Sequence, residues 1–166
     1  MQERVFSILC KNEPGVMMRI ARAYTRRQVN MDSITVGMEP SGDARIIILF
    51  QSDERMANFL KKVLERLEQV KKVTPLREET NIVREIALLK TKPLEGKKKE
   101  KTLYKIEETG GRILEVQGDA IIAEIHGDHK RIDNIIEELG TETFEEIARS
   151  GQVHISKKFE RNEESE

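Results

Sequence analysis

The segment FSILCKNEPGVMMRIARAYTRRQVNMDSITVG, residues 6–37, decides the fold of this chain. It begins with an apolar, β-branched run typical of a strand, turns at Asn-Glu-Pro-Gly into a helical pattern, and returns to a strand after Asn30. Between the strands, apolar side chains recur at helical spacing at Val16, Ile20 and Tyr24. The segment therefore predicts a strand–helix–strand unit. A glycine opens its helix, and the free N–H groups at such an end attract a carboxylate or a phosphate.

The flanking residues extend this unit to a βαββαβ pattern. The predicted strands are residues 4–10, 31–38, 44–50 and 70–76. Pro14 suits the first turn of the first helix, and Asn30 suits a left-handed turn at its far end. Ser52 or Asp53 predicts the cap of the second helix. That helix is expected to bury one apolar face, formed by Met56, Phe59, Leu60, Val63, Leu64 and Leu67.

A charged break at residues 77–81 is followed by the same order of elements. The second set comprises strands at 82–90, 112–117 and 120–125, helices at 99–109 and after an Asp128 cap, and one last strand or a pair of short strands in 144–156. Gly118-Asp119 marks a two-residue hairpin. The expected fold class is α+β: two tandem ferredoxin-like βαββαβ units, each an antiparallel sheet with both helices on one face. The expected domains are residues 1–77 and 81–158, with a frayed tail at 159–166.

The third strand, RIIILF at residues 45–50, is apolar without alternation, which indicates that both of its faces are covered. The two helices of one unit cover only one face. The missing cover is the other half of the chain, a second copy, or a different protein, and we expect association because an open face this apolar would be adhesive.

Composition excludes several classes of function. Lys and Arg total 29 and Asp and Glu total 30, so no net field attracts nucleic acid or an anionic membrane. Cys10 is the only cysteine and is expected in the core, which suits a cytoplasmic protein. No apolar run approaches the ~20 residues that span a bilayer, and the first residues predict a strand rather than a signal peptide.

The candidate reactive residues favour structural roles. His126 and His129 flank a loop and a helix cap, without the further ligands that a metal site requires. His154 alternates with two apolar residues and is expected on an exposed face. Neither a nucleophile–base pair nor a pair of carboxylates at one cleft is apparent, so we expect no catalytic residue and no metal site. Lys97–Lys99, followed by Lys101, predicts a solvated loop.

Three blocks carry a family resemblance. They are RVFSILCKNEPGVMMRIARAYTRRQVNMDSITVG, NIVREIALLK and EIARSGQVHISK, which together are spread over residues 4–157. The first resembles an ACT domain, the small amino-acid-sensing module. In their order and spacing, all three resemble the regulatory small subunit of acetolactate synthase.

The resemblance implies a non-catalytic protein that binds and activates a catalytic large subunit and confers feedback inhibition by valine or another branched-chain amino acid. It implies no cofactor on this chain. Thiamine diphosphate, Mg and FAD are expected only on the catalytic subunit. It also implies a homodimer through the ACT domains, with the effector at their interface.

Mapped by motif, the implied effector site takes Asn12, Gly15 and Val16 from one chain and Asn30 and Met31 from the other. The amides offer donors and acceptors to a zwitterion, and Gly15 lets backbone N–H groups approach a carboxylate. Asn12 as a plain helix cap is the alternative. The family usually has a glycine where this chain has Gln28, and isoleucine where it has Met31, which bears on the identity of the effector.

Two other interpretations remain. A free-standing ACT-type module could regulate another enzyme or a transcription factor, although the sequence contains no helix-turn-helix pattern. A small enzyme on a ferredoxin-like fold is the other, since fold alone does not fix function. No contact of the Arg149-Ser150-Gly151 block can be derived from the sequence. Docking to the partner subunit is one role considered for it.

Overall fold

The computed structural model describes residues 1–158, and the tail predicted at 159–166 lies outside the described residues. In chain order the elements are β1 (Gln2–Cys10), α1 (Val16–Thr25), β2 (Met31–Met38), β3 (Ala44–Ser52), α2 (Glu54–Leu64), β4 (Val70–Leu76), β5 (Asn81–Thr91), α3 (Gly96–Glu108), β6 (Arg112–Gln117), β7 (Ala120–Gly127), α4 (His129–Leu139), β8 (Phe144–Arg149) and β9 (Val153–Ser156). None of these helices is long and apolar enough to cross a bilayer.

The strands form two antiparallel sheets, one in each half of the chain. Their orders are β2-β3-β1-β4 and β6-β7-β5-β8, and β9 pairs with β5. These orders are those of the ferredoxin-like βαββαβ unit, so the predicted fold class is confirmed. By its internal contacts the chain divides into Met1–Ile82 together with the residues from Val153 onward, and Val83–Gln152. We refer to these as the first and the second unit.

Aspartate caps begin two of the helices. Met56 donates its backbone N–H to Asp53 Oδ1 at 2.7 Å, and Arg131 donates to Asp128 Oδ1 at 2.8 Å. Each cap satisfies one of the N–H groups that the first helical turn leaves without an intrahelical partner. Both predicted caps are therefore confirmed, with Asp53 rather than Ser52 at the second helix.

The core of the first unit lies between its sheet and its two helices. Phe50 and Tyr24 have no exposed surface, and their ring centroids are 5.3 Å apart in an edge-to-face arrangement. Cys10 is buried there as predicted and donates its thiol to the Ala44 carbonyl. The prediction that Phe59 lies inward was wrong. Phe59 is 49% exposed, and the Arg27 guanidinium lies 4.7 Å from its ring centroid.

The third strand is buried on both faces. Ile46, Ile48 and Phe50 pack in the helix-side core, and the alternate residues Ile47 and Leu49 are only 6% and 4% exposed. The prediction that both faces of this strand are covered is confirmed in a single chain, so a second copy is not required to explain it.

Two expectations about the second half were wrong. Lys97 and Lys98, expected in a loop, lie in the first turns of α3, where Thr102 donates its hydroxyl to the Lys98 carbonyl at 2.9 Å. His154, expected on an exposed face, is half-buried, and burial lowers the pKa of its imidazole. His154 therefore lies on the inward face of β9, and Val153 and Ile155, which alternate with it, are 52% and 67% exposed.

A left-handed residue follows α1, but it is Gln28 and not Asn30 as expected. Gln28 has φ 54° and is the only residue other than glycine with a positive φ among those described. This conformation costs a residue with a Cβ roughly 1–2 kcal/mol. It lies at the position where the family resemblance places a glycine.

We therefore expect Gln28→Gly to stabilise the chain by about 0.5–1 kcal/mol, since the relieved strain outweighs the added freedom of the unfolded chain. Urea denaturation measures the change. Gln28→Ala is the control, because alanine retains the strain, and it should give no gain. Equal stabilisation by both variants would contradict the explanation.

Candidate functional site

The N-terminus of α1 is open. Gly15 is the N-cap residue with φ 85° and ψ −7°, and none of the described side chains caps this end. A Cβ built on Gly15 would meet nothing within 4 Å, so the space above it is unobstructed. Pro14 precedes the cap and so lies outside the first turn in which it was expected. Val16 donates its N–H to the Glu13 carbonyl at 3.4 Å, and the N–H groups that follow it, with the positive end of the helix dipole, favour an anion here.

Asn12 lies on the loop that leads into this helix and is exposed. Since Gly15 occupies the cap position and no side-chain cap is present, the interpretation of Asn12 as a plain helix cap is wrong. Lys11, its neighbour, is fixed by a backbone N–H donated to the Gln69 carbonyl at 2.9 Å. The loop backbone is thus anchored while the Asn12 amide faces solvent.

At the other end of α1, Asn30 is exposed and donates its Nδ2 to Asp32 Oδ1 at 2.8 Å. An exposed amide beside a carboxylate suits an ammonium group, which needs acceptors. Asp32 was not among the candidate effector-site residues, although a carboxylate two residues after Asn30 is a signal that the sequence contains. Met31 is half-buried against the first core, and Val16 is only 5% exposed, so the Val16 side chain belongs to the core.

The strand that begins at Met31 is an outermost strand of the first sheet. Ile34, Val36 and Met38 of β2 pair in register with Ile48, Ile46 and Ala44 of β3, so they lie on the helix side of the sheet. They are nevertheless 39%, 56% and 64% exposed. An apolar edge strand is a template for pairing with another chain.

The Arg149-Ser150-Gly151 block is held by the second unit. Arg149 makes a two-point contact with Glu85, from Nε to Oε1 at 2.6 Å and from Nη2 to Oε2 at 3.1 Å, and also donates to Asp133 Oδ1 at 2.6 Å. His129 Nδ1 lies 3.0 Å from Glu85 Oε2. The sequence analysis missed this network because its members are up to 64 residues apart.

The backbone on both sides of Ser150 is fixed as well. Ser150 donates its N–H to the Ile86 carbonyl at 3.0 Å, and its hydroxyl accepts the N–H of Ile86 at 3.1 Å. Gly151 then turns the chain with φ 76°. This left-handed glycine follows strand β8 rather than a helix. The block therefore has a structural role, which is to anchor the end of β8 to the central strand β5.

The Glu85 side chain is only 2% exposed. Burial acts to raise the pKa of its carboxyl, but the hydrogen bonds from Arg149 and His129 outweigh burial, so the pKa lies below its ordinary value. Among residues 1–158, no group of three or more His, Cys, Asp or Glu side chains is arranged to hold a metal ion. Glu85 and Arg149 therefore form an ion pair, and His129 and Asp133 complete its hydrogen bonds.

The lowered pKa of Glu85 predicts a pH dependence. A carboxyl whose pKa is depressed by folding contributes stability above its unfolded pKa of about 4.3, and this is lost as pH falls through the folded-state value. We expect the second unit to lose stability below about pH 4.3. Glu85→Gln should reduce this slope, as followed by thermal unfolding at stepped pH. Glu145→Gln, at an exposed carboxylate, should leave the slope unchanged, and a Glu85→Gln variant with the wild-type slope would contradict the assignment.

Two protein-family models match this chain, one in each half. A family model described as the ACT domain of acetolactate synthase (AHAS) small subunits matches residues 6–74, and one described as the small subunit of acetolactate synthase matches residues 84–158. The fold and these matches define the class: a regulatory subunit with an ACT domain.

Relatives over nearly the whole length agree. A probable acetolactate synthase small subunit of Methanothermobacter thermautotrophicus is 35% identical over 92% of each chain, and the small subunit of Bacillus subtilis is 30% identical over 93% of this chain and 91% of its own. The crystal structure of the small subunit from Thermotoga maritima matches with a TM-score of 0.84 and 33% identity, covering 96% of this chain and 99% of that one. The chain belongs to the acetolactate synthase small subunit family. It is the small regulatory subunit and not the catalytic one.

Proposed function

We propose that this chain activates the catalytic subunit of acetolactate synthase and makes it subject to feedback inhibition by valine or another branched-chain amino acid. The observation that carries the proposal is the agreement of both units, in order and over nearly the full chain, with proteins named as small subunits of that enzyme. The open, uncapped N-terminus of α1 adds a place where the carboxylate of an amino acid can bind.

The first unit dimerises through its edge strand β2. The apolar side chains Ile34, Val36 and Met38 of this edge strand are exposed. Pairing two such edges about a twofold axis joins the sheets and removes these side chains from water in both copies. This arrangement explains why three large apolar residues in one row of an edge strand are exposed in a single chain.

The effector binds where two copies meet. Asn12 and the backbone at Gly15 of one copy supply the amide and the N–H groups for a carboxylate, and Asn30 of the other copy, with Asp32, supplies acceptors for the ammonium. Met31 borders an apolar slot for the branched side chain. Val16 supports the loop from inside the core rather than touching the effector.

The chain carries no cofactor of its own in this proposal. Thiamine diphosphate, Mg and FAD belong to the catalytic subunit, which is its protein partner in the cytoplasm. The near-neutral charge of 29 basic and 30 acidic residues supports a protein partner over nucleic acid or an anionic membrane.

Acetolactate formation by the matching catalytic subunit tests the proposal. Adding this chain should raise the rate, and valine should then lower it. Asn12→Ala should keep the activation and weaken inhibition about tenfold or more, because one hydrogen-bonding side chain to a charged group is lost. Asn58→Ala, at an exposed asparagine on α2, is the matched control and should change neither. The absence of activation would refute the function. Unchanged valine sensitivity in Asn12→Ala would refute only the site.

A further inference from the structure

The outward surface of the two helices of the first unit is strongly basic. Residues 16–27, which form α1 and the turn after it, include four arginines and no acidic residue. On α2, Arg55, Phe59 and Lys62 recur at spacings that place them on one side of the helix, and all three are exposed. We call this surface the basic face, and it consists of Arg19, Arg22, Arg26, Arg27, Arg55, Phe59 and Lys62.

Two contacts join the helices into one surface. The Arg27 guanidinium lies 4.7 Å from the ring centroid of Phe59, in the middle of α2. Arg19 donates Nη1 to Gln69 Oε1 at 2.8 Å, in the connection that follows α2. The end of α1 therefore lies beside the middle of α2, and the start of α1 lies beside the residues after α2. The two helices run antiparallel as neighbours, so their basic residues form a continuous surface.

The charges of the basic face are not neutralised by the chain itself. In the part of the chain that the structure describes, none of its six cations forms an ion pair with a carboxylate. Two carboxylates of α2 and its caps are engaged elsewhere, since Glu65 is paired with Lys61 at 3.0 Å and Asp53 accepts the backbone N–H of Met56. The basic face thus presents uncompensated positive charge to solvent.

The helix dipole explains only part of this pattern. Cations are stabilised at the C-terminal end of a helix, which suits Arg22, Arg26 and Lys62. Arg19 and Arg55 instead lie in the first turns of α1 and α2, where the dipole disfavours a cation. Stabilisation of the helices therefore does not account for the basic face.

The composition of the basic face suits a protein partner. Arginine, methionine and aromatic residues are enriched at protein interfaces, whereas lysine is depleted. Five of the six cations are arginines, and Met18 and Phe59 are 60% and 49% exposed beside them. An open cavity of ≈ 680 Å³ is lined in part by Arg55, Phe59 and Lys62, which gives a side chain of the partner a place to insert.

The distribution of charge favours a compact acidic partner. The whole chain has 29 basic and 30 acidic residues, so the residues outside the basic face carry a net negative charge. Nucleic acid or an anionic membrane extends past the two helices and would meet this negative surface as well. An acidic protein surface about as large as the two helices places its carboxylates against the basic face alone.

We propose that the basic face docks onto an acidic surface of the catalytic subunit, with its arginines pairing with carboxylates of that protein. The inference rests on the proposed function, which requires the catalytic subunit as a partner, and it adds the surface and the chemistry of the contact. The helices form this surface, whereas the proposed dimer contact belongs to strand β2, so the two contacts use different parts of the first unit.

Affinity of the full chain for the purified catalytic subunit, followed by biolayer interferometry, tests the proposal. Arg22→Glu/Arg55→Glu reverses one charge on each helix and is expected to weaken binding about tenfold or more, because attraction becomes repulsion. Circular dichroism confirms that the variant is folded. Lys97→Glu/Lys101→Glu is the matched control, since it changes the net charge equally on the exposed side of α3, and it should bind as the wild type does.

Salt provides a second measure of the same contact. Raising the salt concentration from about 0.1 M to 1 M shortens the Debye length from about 10 Å to 3 Å, and this should weaken binding of the wild type. Arg22→Glu/Arg55→Glu has lost the attraction that salt screens, so its affinity should fall less. A wild-type affinity that does not depend on salt would contradict the proposal.

Carbodiimide coupling locates the contact, because it joins a lysine amine only to a carboxylate that touches it. We expect Lys62 to be joined to an aspartate or glutamate of the catalytic subunit, as identified by mass spectrometry. Lys62→Arg keeps the charge and should keep the affinity while losing this cross-link. Lys101, which is exposed on α3, is the comparison and should not couple to the catalytic subunit.

The outcomes separate this proposal from the proposed function. Binding that fails to raise acetolactate formation would refute the function and leave the docking surface standing. Coupling through Lys101 but not Lys62 would overturn the docking surface, as would equal loss of affinity in the two double variants or the absence of binding by the wild type. Normal activation by Arg22→Glu/Arg55→Glu at wild-type affinity would overturn the docking surface alone.

Discussion

Replacing Arg149 with methionine is expected to destabilise the second unit by about 2–3 kcal/mol, because the buried Glu85 carboxylate loses its main partner, and less than a fully buried ion pair would lose because Arg149 is itself exposed. Glu85 would keep its charge at a site where its side chain is 2% exposed, with the two-point contact from the guanidinium lost. Methionine retains the apolar stem, so the loss reports the charge and its hydrogen bonds. Hydrogen exchange of the β5 backbone amides measures the change in the second unit alone.

Lys90→Met is the control for this prediction. Lys90 also reaches from β5 to a carboxylate, Glu145 at 3.1 Å, but both side chains are exposed. Such surface pairs contribute about 0–1 kcal/mol. If Arg149→Met cost no more than Lys90→Met, the Glu85 network would not anchor β8. The double variant Glu85→Leu/Arg149→Met should recover most of the stability, because no buried charge is then left unpaired.

The second large effect is expected from Val36→Lys on the edge strand β2. Val36 is 56% exposed in a single chain, and the proposed pairing buries it. Two ammonium groups forced into an apolar contact are expected to cost several kcal/mol, which weakens the dimer of the first unit by a factor of 10² or more. Sedimentation of the purified chain measures the association constant, and valine sensitivity should fall with it.

Val116→Lys provides the comparison. Val116 also lies on an edge strand, β6 of the second sheet, and is 50% exposed. The proposed pairing of β2 does not involve it, so the association of the first unit should not change. An equal loss of association in the two variants would point to a general effect of surface lysines rather than to the β2 edge.

Much of the fold follows from short-range patterns in the sequence. The glycine-opened helix, the Asp53 and Asp128 caps and the Gly118-Asp119 hairpin are each determined by residues within a few positions of one another. Such features are accessible because turns and caps depend on local backbone chemistry. The repeat of the βαββαβ order then gives two sheets, and the structure confirms both.

The predictions from the sequence were wrong where tertiary packing decides which of two neighbouring residues is buried. The apolar stripe of α2 is wide enough to include Phe59, but the core is centred on Ala57, Leu60 and Leu64, so Phe59 packs under Arg27 instead. His154 is half-buried in a four-residue strand, and the apolar residues on either side of it are the exposed ones. Neither the exposure of Phe59 nor the partial burial of His154 can be predicted from the spacing of apolar residues alone.

The candidate effector site could be only partly predicted from the sequence, because part of it depends on tertiary packing. The family resemblance identified Asn12 and Asn30. In the structure they lie at opposite ends of α1, and both are exposed in a single chain. The buried position of Val16 and the Asn30–Asp32 hydrogen bond required coordinates. The Arg149 network joins residues from β5, α4 and β8, a combination that only the folded chain defines.

The central claim is that each effector site is shared between two copies, and a mixing experiment tests it directly. Asn12→Ala and Asn30→Ala chains are purified separately, and each should bind valine poorly by titration calorimetry. After subunit exchange in an equal mixture, a mixed dimer has one site with both asparagines missing and one site with both intact.

The account predicts that this mixture regains tight valine binding at about one quarter of the wild-type number of sites, as expected for random exchange in a twofold dimer. Binding that stays as weak in the exchanged mixture as in either variant alone would contradict it, since a site contained within one chain cannot be restored by a second copy.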